Sequence, residues 1–177
     1  MKNIWVISDT HFDHANILKF ADDAGNLIRG SRFSSVDEMN EHIIGRWNSV
    51  VKPGDKVYHL GDVVFGDDKE AWMKRHWSRL KGRKRLVVGN HDNIKLMSSG
   101  GWFDKVDLWR MFPEFGLLLT HVPVHPSTLG ENRFDGHLML NVHGHIHQNA
   151  SPPGNYRCVC VEQTDYTPVN IEDLRIA

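Results

Sequence analysis

The 177-residue chain predicts a layered α/β fold, with a more parallel first sheet, a more antiparallel second sheet and helices outside. Three observations carry that reading. In the first half, short apolar runs alternate with helical patterns, which implies parallel pairing through right-handed crossovers. In the second half a hairpin pattern and short strand-like runs replace the helices. Several of the apolar runs end in polar clusters rich in histidine and carboxylate, the position where open α/β sheets place their chemistry.

Residues 4–7 form the first predicted strand, which stops at Ser8-Asp9-Thr10-His11. Asp9 and His11 are two apart, so extended backbone would send both side chains to one side. Beyond Phe12-Asp13-His14-Ala15-Asn16 a short helical stretch covers 17–21, and the Gly-, Asp- and Arg-rich segment 22–34 reads as loop. Ser35-x-x-Glu38 is a capping-box pattern, and Val36, Met39, Ile43, Ile44, Trp47, Val50 and Val51 follow it at helical spacing. Lys52-Pro53-Gly54-Asp55 turns the chain into a strand at 56–60, which delivers Gly61-Asp62.

A helix over about 68–80 buries Trp72, Met73, His76, Trp77 and Leu80. Residues 81–85 form a basic turn before the strand 86–88, which delivers Gly89-Asn90-His91-Asp92 ahead of a helix starting near Asn93. Residues 105–111 and 117–120 pair as a hairpin around Pro113-Glu114-Phe115-Gly116, and the second of these strands delivers His121. A polar loop at 123–136 precedes a strand at 138–142 that ends in His143-Gly144-His145-Ile146-His147. Residues 157–161 and 168–171 read as closing strands.

Composition narrows the function. Charged residues make up 24%, net charge is -1 and the pI is about 6.9, so nothing global calls for a polyanionic partner. No apolar run approaches the roughly 18 residues of a membrane helix. The N-terminus enters a strand pattern at once, leaving no room for a signal peptide, so a cytoplasmic protein is expected. Cys158 and Cys160, two apart in a strand pattern, sit near or beyond the distance a disulfide tolerates and read as small core or face residues. The length fits one domain over 1–177, with no repeat and no low-complexity linker. The basic run 81–85 lacks interleaved aromatics, Trp5, Trp47, Trp72 and Trp77 read as core, and no nucleic-acid-binding module is evident. Oligomeric state is not readable, although Trp102 and Phe103 are candidate exposed interface positions.

The five strand ends offer Asp9, His11, Asp62, Asn90, His121, His145 and His147, with His91 beside them. Oxygen and imidazole donors in this mixture suit a pair of divalent first-row metals, whereas a structural zinc prefers four Cys or His. Gly61, Gly89 and Gly144 are expected to let the backbone turn where a side chain would obstruct the site. His59 and His143 are offset from the ligand positions by an odd number and should face the other way. His14 and Asn16 are candidates for ligand contact at the site mouth or for helix-capping or surface roles, and Arg32, His125 and Arg133 lie on loops that could reach a phosphate or simply stay solvated.

Asp9-x-His11, Gly61-Asp62, Gly89-Asn90-His91-Asp92, His121 and Gly144-His145-x-His147 together resemble the signature of the calcineurin-like metallophosphoesterases. The stretch from Asp9 to Ile17 is most similar to small single-domain bacterial and phage members. The resemblance implies a four-layer α-β-β-α sandwich, two mixed β-sheets flanked by helices. It implies that Asp9, His11 and His147 hold one metal, that Asn90, His121 and His145 hold a second, and that Asp62 bridges both. Manganese is the first expectation, with iron, zinc, nickel or cobalt as alternatives. A metal-bridging hydroxide would attack phosphorus, His91 would act as general acid and Asp92 would orient it. The expected substrate is a small phosphorylated molecule such as a nucleotide or cyclic nucleotide, cleaved at a phosphodiester or phosphomonoester bond. A phosphomonoesterase or dinucleoside-polyphosphate hydrolase with the same centre is the alternative, and a non-catalytic scaffold, as in a retromer subunit, is disfavoured by the intact ligand set.

Overall fold

The computed structural model describes residues 2–131 and 136–174. Two mixed sheets lie at its centre, as expected. In the first, β1 (Ile4–Ile7), β2 (Lys56–His59), β3 (Arg83–Val87) and β4 (Lys105–Asp107) run parallel in the order β4-β3-β2-β1. The two-residue β9 (Val169–Asn170) closes the edge antiparallel to β1. The second sheet takes the order β5-β6-β7-β8, from β5 (Arg110–Phe112), β6 (Leu117–Leu119), β7 (Leu140–His143) and β8 (Tyr156–Cys158).

Three expectations need correction. The second sheet is mainly parallel: β6, β7 and β8 run together and only β5 opposes β6. Residues 105–111 are not one hairpin arm, because β4 joins the first sheet while β5 joins the second. The chain crosses between sheets at Leu108-Trp109. The basic run is also not a turn throughout, since Arg83 already belongs to β3. Its charges are engaged locally: Arg83 with Asp104, Lys84 Nζ donating to Leu80 O and Arg85 donating to the Tyr58 hydroxyl.

α1 (Val36–Val50) starts where its cap predicts, with Ser35 Oγ accepting the Glu38 N–H at 3.1 Å. The return half of the box is displaced by one residue, because the Glu38 carboxylate accepts from Ser34. α2 (Lys69–His76) is capped by Asp68 and runs into a 3₁₀ turn at Trp77–Arg79. α3 (Ile94–Ser99) is capped by Asn93.

Apolar residues of all three helices pack with Ile7, Val57 and Leu86 on the outer face of the first sheet. Trp47, Trp72 and Trp77 are buried there, and Trp102 and Phe103 pack against the same core rather than standing free. Between the sheets Val6, Tyr58, Leu60 and Val87 meet Phe112, Leu117, Leu119, Val142 and Val159. The outer face of the second sheet carries a smaller cluster, Leu118, Leu129 and Met139. Leu108 and Trp109, at the crossing, remain 67% and 61% exposed. Among the described residues no helix is long and apolar enough to cross a membrane.

The entry into β2 hangs on one carboxylate. Asp55 accepts from the backbone N–H of Asn3 and of Lys52 and from Trp5 Nε1, each at 3.0 Å. Burial raises its pKa, but these donors outweigh burial and hold it below the usual value. Asp55→Ala should lower the unfolding free energy by about 2–3 kcal/mol at neutral pH. A depressed folded pKa gives stability that is complete above about pH 4 and lost as the pH falls through the folded value. Denaturant melts of both proteins should therefore converge in acid.

Candidate metal centre

The site forms where β1, β2, β3, β6 and β7 end on the same side of the two sheets. Extended backbone does not aim its side chains. Asp9, His11, Asp62, His145 and His147 have φ of 55°, 46°, 55°, 70° and 51°, all in the left-handed region. The expected same-face projection of Asp9 and His11 from a strand is thus replaced by two left-handed residues just past β1. Such conformations cost about 1–3 kcal/mol each and cluster at functional sites.

Backbone bonds hold these turns in place: Asp9 N to Gly61 O at 3.1 Å, His11 N to Asp62 O at 3.0 Å and Phe12 N to Val63 O at 2.9 Å. The glycines do what their positions suggest. A Cβ on Gly61, which has φ of 97°, would lie 2.5 Å from the Gly89 backbone and 2.8 Å from His121 Nδ1. A Cβ on Gly89 would run into the Asp62 carboxylate, and one on Gly144 into Ser8 and the Asp9 carboxylate.

Two groups of donors converge: Asp9, His11 and His147 in one, Asp62, His121 and His145 in the other. Asn90 joins the second, with Oδ1 2.8 Å from His121 Nε2. Within each carboxylate one oxygen is occupied and the other is bare. Asp9 Oδ2 accepts from Ser8 Oγ at 2.5 Å and from the His145 N–H at 2.9 Å, while Oδ1 is buried with no hydrogen-bond partner. His11 Nε2 is buried and unpartnered in the same way. It lies 3.8 Å from Asp9 Oδ1 and 3.5 Å from Asp62 Oδ2, and His147 Nε2 lies 3.9 Å from Asp9 Oδ1. Asp62 Oδ1 accepts the His91 N–H at 2.9 Å, and Oδ2 stands 3.5 Å from both His11 Nε2 and His121 Nε2.

The imidazole tautomers agree. His121 Nδ1 is 2.7 Å from Leu60 O, which only accepts, so Nδ1 carries the proton. In the neutral ring Nε2 then turns a lone pair toward Asn90 Oδ1, an acceptor facing an acceptor. His147 Nδ1 is held 2.9 Å from Glu162 Oε1, which likewise frees Nε2. Carboxylate, amide and imidazole acceptors that converge in this way fit a cation.

Electrostatics follow the same plan. Burial pushes the Asp9 carboxyl up, but the imidazoles of His11, His121 and His147 hold it below the ordinary range. Burial likewise raises Asp62, and His11, His121 and the His91 N–H outweigh it. His11 is raised despite burial by Asp62 and Asp9.

His59 and His143 do face away, as predicted. Buried His59 meets the Thr10 hydroxyl, and burial lowers its pKa to about 3. His143 meets the Ser151 hydroxyl. Cys158 and Cys160 are buried free thiols. His14 and Asn16 line a recess of about 400 Å³ with His11, His91 and His147. His14 stacks on Phe65 at 3.9 Å, and burial lowers its pKa to about 4.

Several expected substrate contacts lie elsewhere. Arg32 pairs with Asp165 at 2.5 Å and sits over the Tyr166 ring, and His125 caps the 3₁₀ turn Pro126–Thr128. Arg133 lies outside the described residues. Asp92 is occupied by the backbone rather than by orienting His91: its oxygens accept the N–H groups of Asp62, Val63 and Gly89 at 3.0, 3.0 and 2.8 Å. It clamps the end of β2 to the end of β3.

Sequence reading missed Arg29 and Glu162. Arg29, fully buried in the segment read as loop, donates to Asp9 O, Thr10 O and Glu162 Oε1 at 2.6, 2.9 and 2.7 Å. The two residues are 133 apart in sequence, and no local pattern joins them. Replacing Glu162 by Gln should weaken divalent-cation binding about 10–100-fold, read by calorimetric titration of metal-stripped protein. Arg29→Met removes the guanidinium from the buried Glu162 carboxylate and from the Asp9 and Thr10 carbonyls and should lower the unfolding free energy by about 3–5 kcal/mol in denaturant melts.

Comparison with known proteins agrees with this geometry. The chain is 33% identical to an uncharacterized protein of Methanocaldococcus jannaschii over 97% of its own length and 89% of that protein's. It is 29% identical to the gene 66 protein of Mycobacterium phage L5, covering 83% of this chain and 78% of the phage protein. The crystal structure of a protein of unknown function from Aquifex aeolicus superposes with a TM-score of 0.71 at 29% identity, covering 98% of both chains. The family model for calcineurin-like phosphoesterases matches residues 2–163, nearly the whole framework that carries the donors, and the chain therefore belongs to the calcineurin-like phosphoesterase family.

Proposed function

We propose that the protein hydrolyses phosphate esters of small, nucleotide-like molecules at a dinuclear centre. One observation carries this reading: a single oxygen, Asp62 Oδ2, stands 3.5 Å from an imidazole nitrogen of each donor group. Asp9, His11 and His147 would hold one divalent cation and Asn90, His121 and His145 the other, with Asp62 shared between the two groups. The mixed oxygen and imidazole set suits manganese first, with iron, zinc, nickel and cobalt as alternatives. Cations held there supply Lewis acidity and a water acidified toward a pKa of about 7, the nucleophile of the hydrolysis.

The chain's own groups do the rest. His91 is exposed at the rim, with its ring 4.9 Å from Phe65 and 5.9 Å from His11, in reach of an ester oxygen leaving the centre. Its backbone N–H fixes Asp62 Oδ1, and its carbonyl accepts from Lys69 Nζ at 2.7 Å, so the loop carrying the ring is pinned at two points. Here His91 donates the proton to the leaving group. His14 and Asn16 line the same recess and meet the departing group. That recess and a second one of about 630 Å³ beside Asn90 and His121 are of a size that takes small molecules.

Metal-stripped protein should be inert and should regain hydrolysis of an aryl phosphodiester or aryl phosphomonoester when a divalent cation is restored. Asp62→Ala should remove at least about 100-fold of that activity. His91→Ala should cost about 10²–10⁴-fold on esters with poor leaving groups and less on 4-nitrophenyl esters. Folded protein inert toward both ester classes with every cation refutes the proposal.

A further inference from the structure

The two recesses flank the donor groups and differ in chemistry. The one on the His91 side carries four imidazoles, Asn16 and Lys19 in its wall beside Phe20 and Phe65. The one on the other side shares Asn90 and His121 with the second donor group and is otherwise apolar. Leu108, Trp109, Met111, Leu118, Val122 and Val124 supply its surface, and among the described residues no Asp, Glu, Lys or Arg side chain lines it. Its two threonines are already engaged: Thr120 Oγ1 donates to Val122 O at 2.6 Å and Thr128 Oγ1 to His125 O at 2.7 Å. The recess therefore offers apolar contact and little hydrogen bonding.

This recess exists because the second sheet is thinly covered. β6 alternates, sending Leu117 and Leu119 into the core between the sheets and Leu118 toward the recess. Among the described residues no α-helix contributes to the cluster on that outer face. Trp109 and Met111 remain 61% and 43% exposed at the rim.

We propose that this recess seats the retained organic substituent of a phosphodiester, a flat uncharged group such as an aryl ring or a nucleobase, stacked on Trp109. The inference rests on the phosphoesterase reading and deepens it. With His91 on the opposite flank, the leaving group departs there and the other substituent lies over Asn90 and His121. Water oxygen bonds to phosphorus, the bond to the leaving oxygen breaks and His91 protonates that oxygen. The proton released by the water restores His91. The products are an alcohol and a phosphomonoester that still carries the apolar substituent. A simple monoester leaves the recess unused.

The test compares phenyl 4-nitrophenyl phosphate with methyl 4-nitrophenyl phosphate, which share a leaving group, on metal-loaded wild type and Trp109→Ala. Intrinsic reactivity cancels between the two proteins. The phenyl-to-methyl ratio of kcat/KM should fall about tenfold in the variant, the scale of ring stacking on an aromatic side chain. Affinity for phenylphosphonate relative to methylphosphonate, measured by calorimetry, should fall in parallel. Metal-dependent hydrolysis with an unchanged ratio overturns the inference and leaves the phosphoesterase reading standing. If neither ester turns over, that reading fails, and a phosphonate preference unmoved by Trp109→Ala overturns the inference as well. A concentration-dependent dimer lost in Trp109→Ala, with the ratio unchanged, also overturns it and assigns the face to a second copy of the chain.

Discussion

The structure depends on a set of bare acceptors turned toward one another. Asp9 Oδ1 and His11 Nε2 are buried without a hydrogen bond, and Asp62 Oδ2 faces two imidazoles from 3.5 Å. Leaving such atoms unpaired is costly in a folded chain. Around them four far atoms are satisfied. Ser8 and the His145 N–H take Asp9 Oδ2, the His91 N–H takes Asp62 Oδ1, Leu60 O takes His121 Nδ1 and Glu162 takes His147 Nδ1. This shell selects which atom of each side chain points inward. A preorganised donor set of that kind binds cations without first having to reorder its ligands.

Such aiming requires backbone that relaxed strands do not supply. Five predicted ligands sit at positive φ, and the strain is offset by bonds that zip residues 9–12 to 61–63. Arg29 adds a second restraint from the opposite side, since its guanidinium holds the carbonyls of Asp9 and Thr10. The same guanidinium contacts Glu162 Oε1, so one buried ion pair supports both the left-handed turn after β1 and the orientation of His147. Asp92 performs the matching task between β2 and β3 with three backbone N–H groups. Ion pairs and carboxylates in these positions specify geometry more than they stabilise.

What the sequence disclosed was what is written locally. Apolar runs ending in Asp-x-His, Gly-Asp, Gly-Asn-His-Asp and His-x-His mark sheet ends, and the donor groups formed where those motifs stand. The cap of α1 and the facing of His59 and His143 were legible for the same reason: they follow from spacing within a few residues. Arg29, Glu162 and the backbone-clamping use of Asp92 were not, because side chains bonded to distant backbone leave no periodic trace. The division of 105–112 between two sheets was hidden too. A strand pattern shows that a segment is extended and says nothing of its partner, and here the pattern ran unbroken through the exposed crossing at Leu108-Trp109.

The donors come from both sheets, and this binds core packing to chemistry. Asp9, Asp62 and Asn90 follow strands of the first sheet, whereas His121 and His145 follow strands of the second. Their mutual distances hold only while the sheets keep their relative position. That position is set by the apolar layer between them and by a direct stitch, in which Ser8 N bonds Val159 O at 3.1 Å and Val161 N bonds Ser8 O at 3.2 Å. The stitch lies one residue from Asp9 and one from Glu162, so a shift between the sheets would disturb a ligand and its support together. The first sheet is backed by three helices. The second carries its donors on a sheet whose outer face stays partly open. The helix-backed sheet thus supplies both carboxylates of the donor groups, and the sheet that supplies His121 and His145 leaves apolar surface accessible beside them.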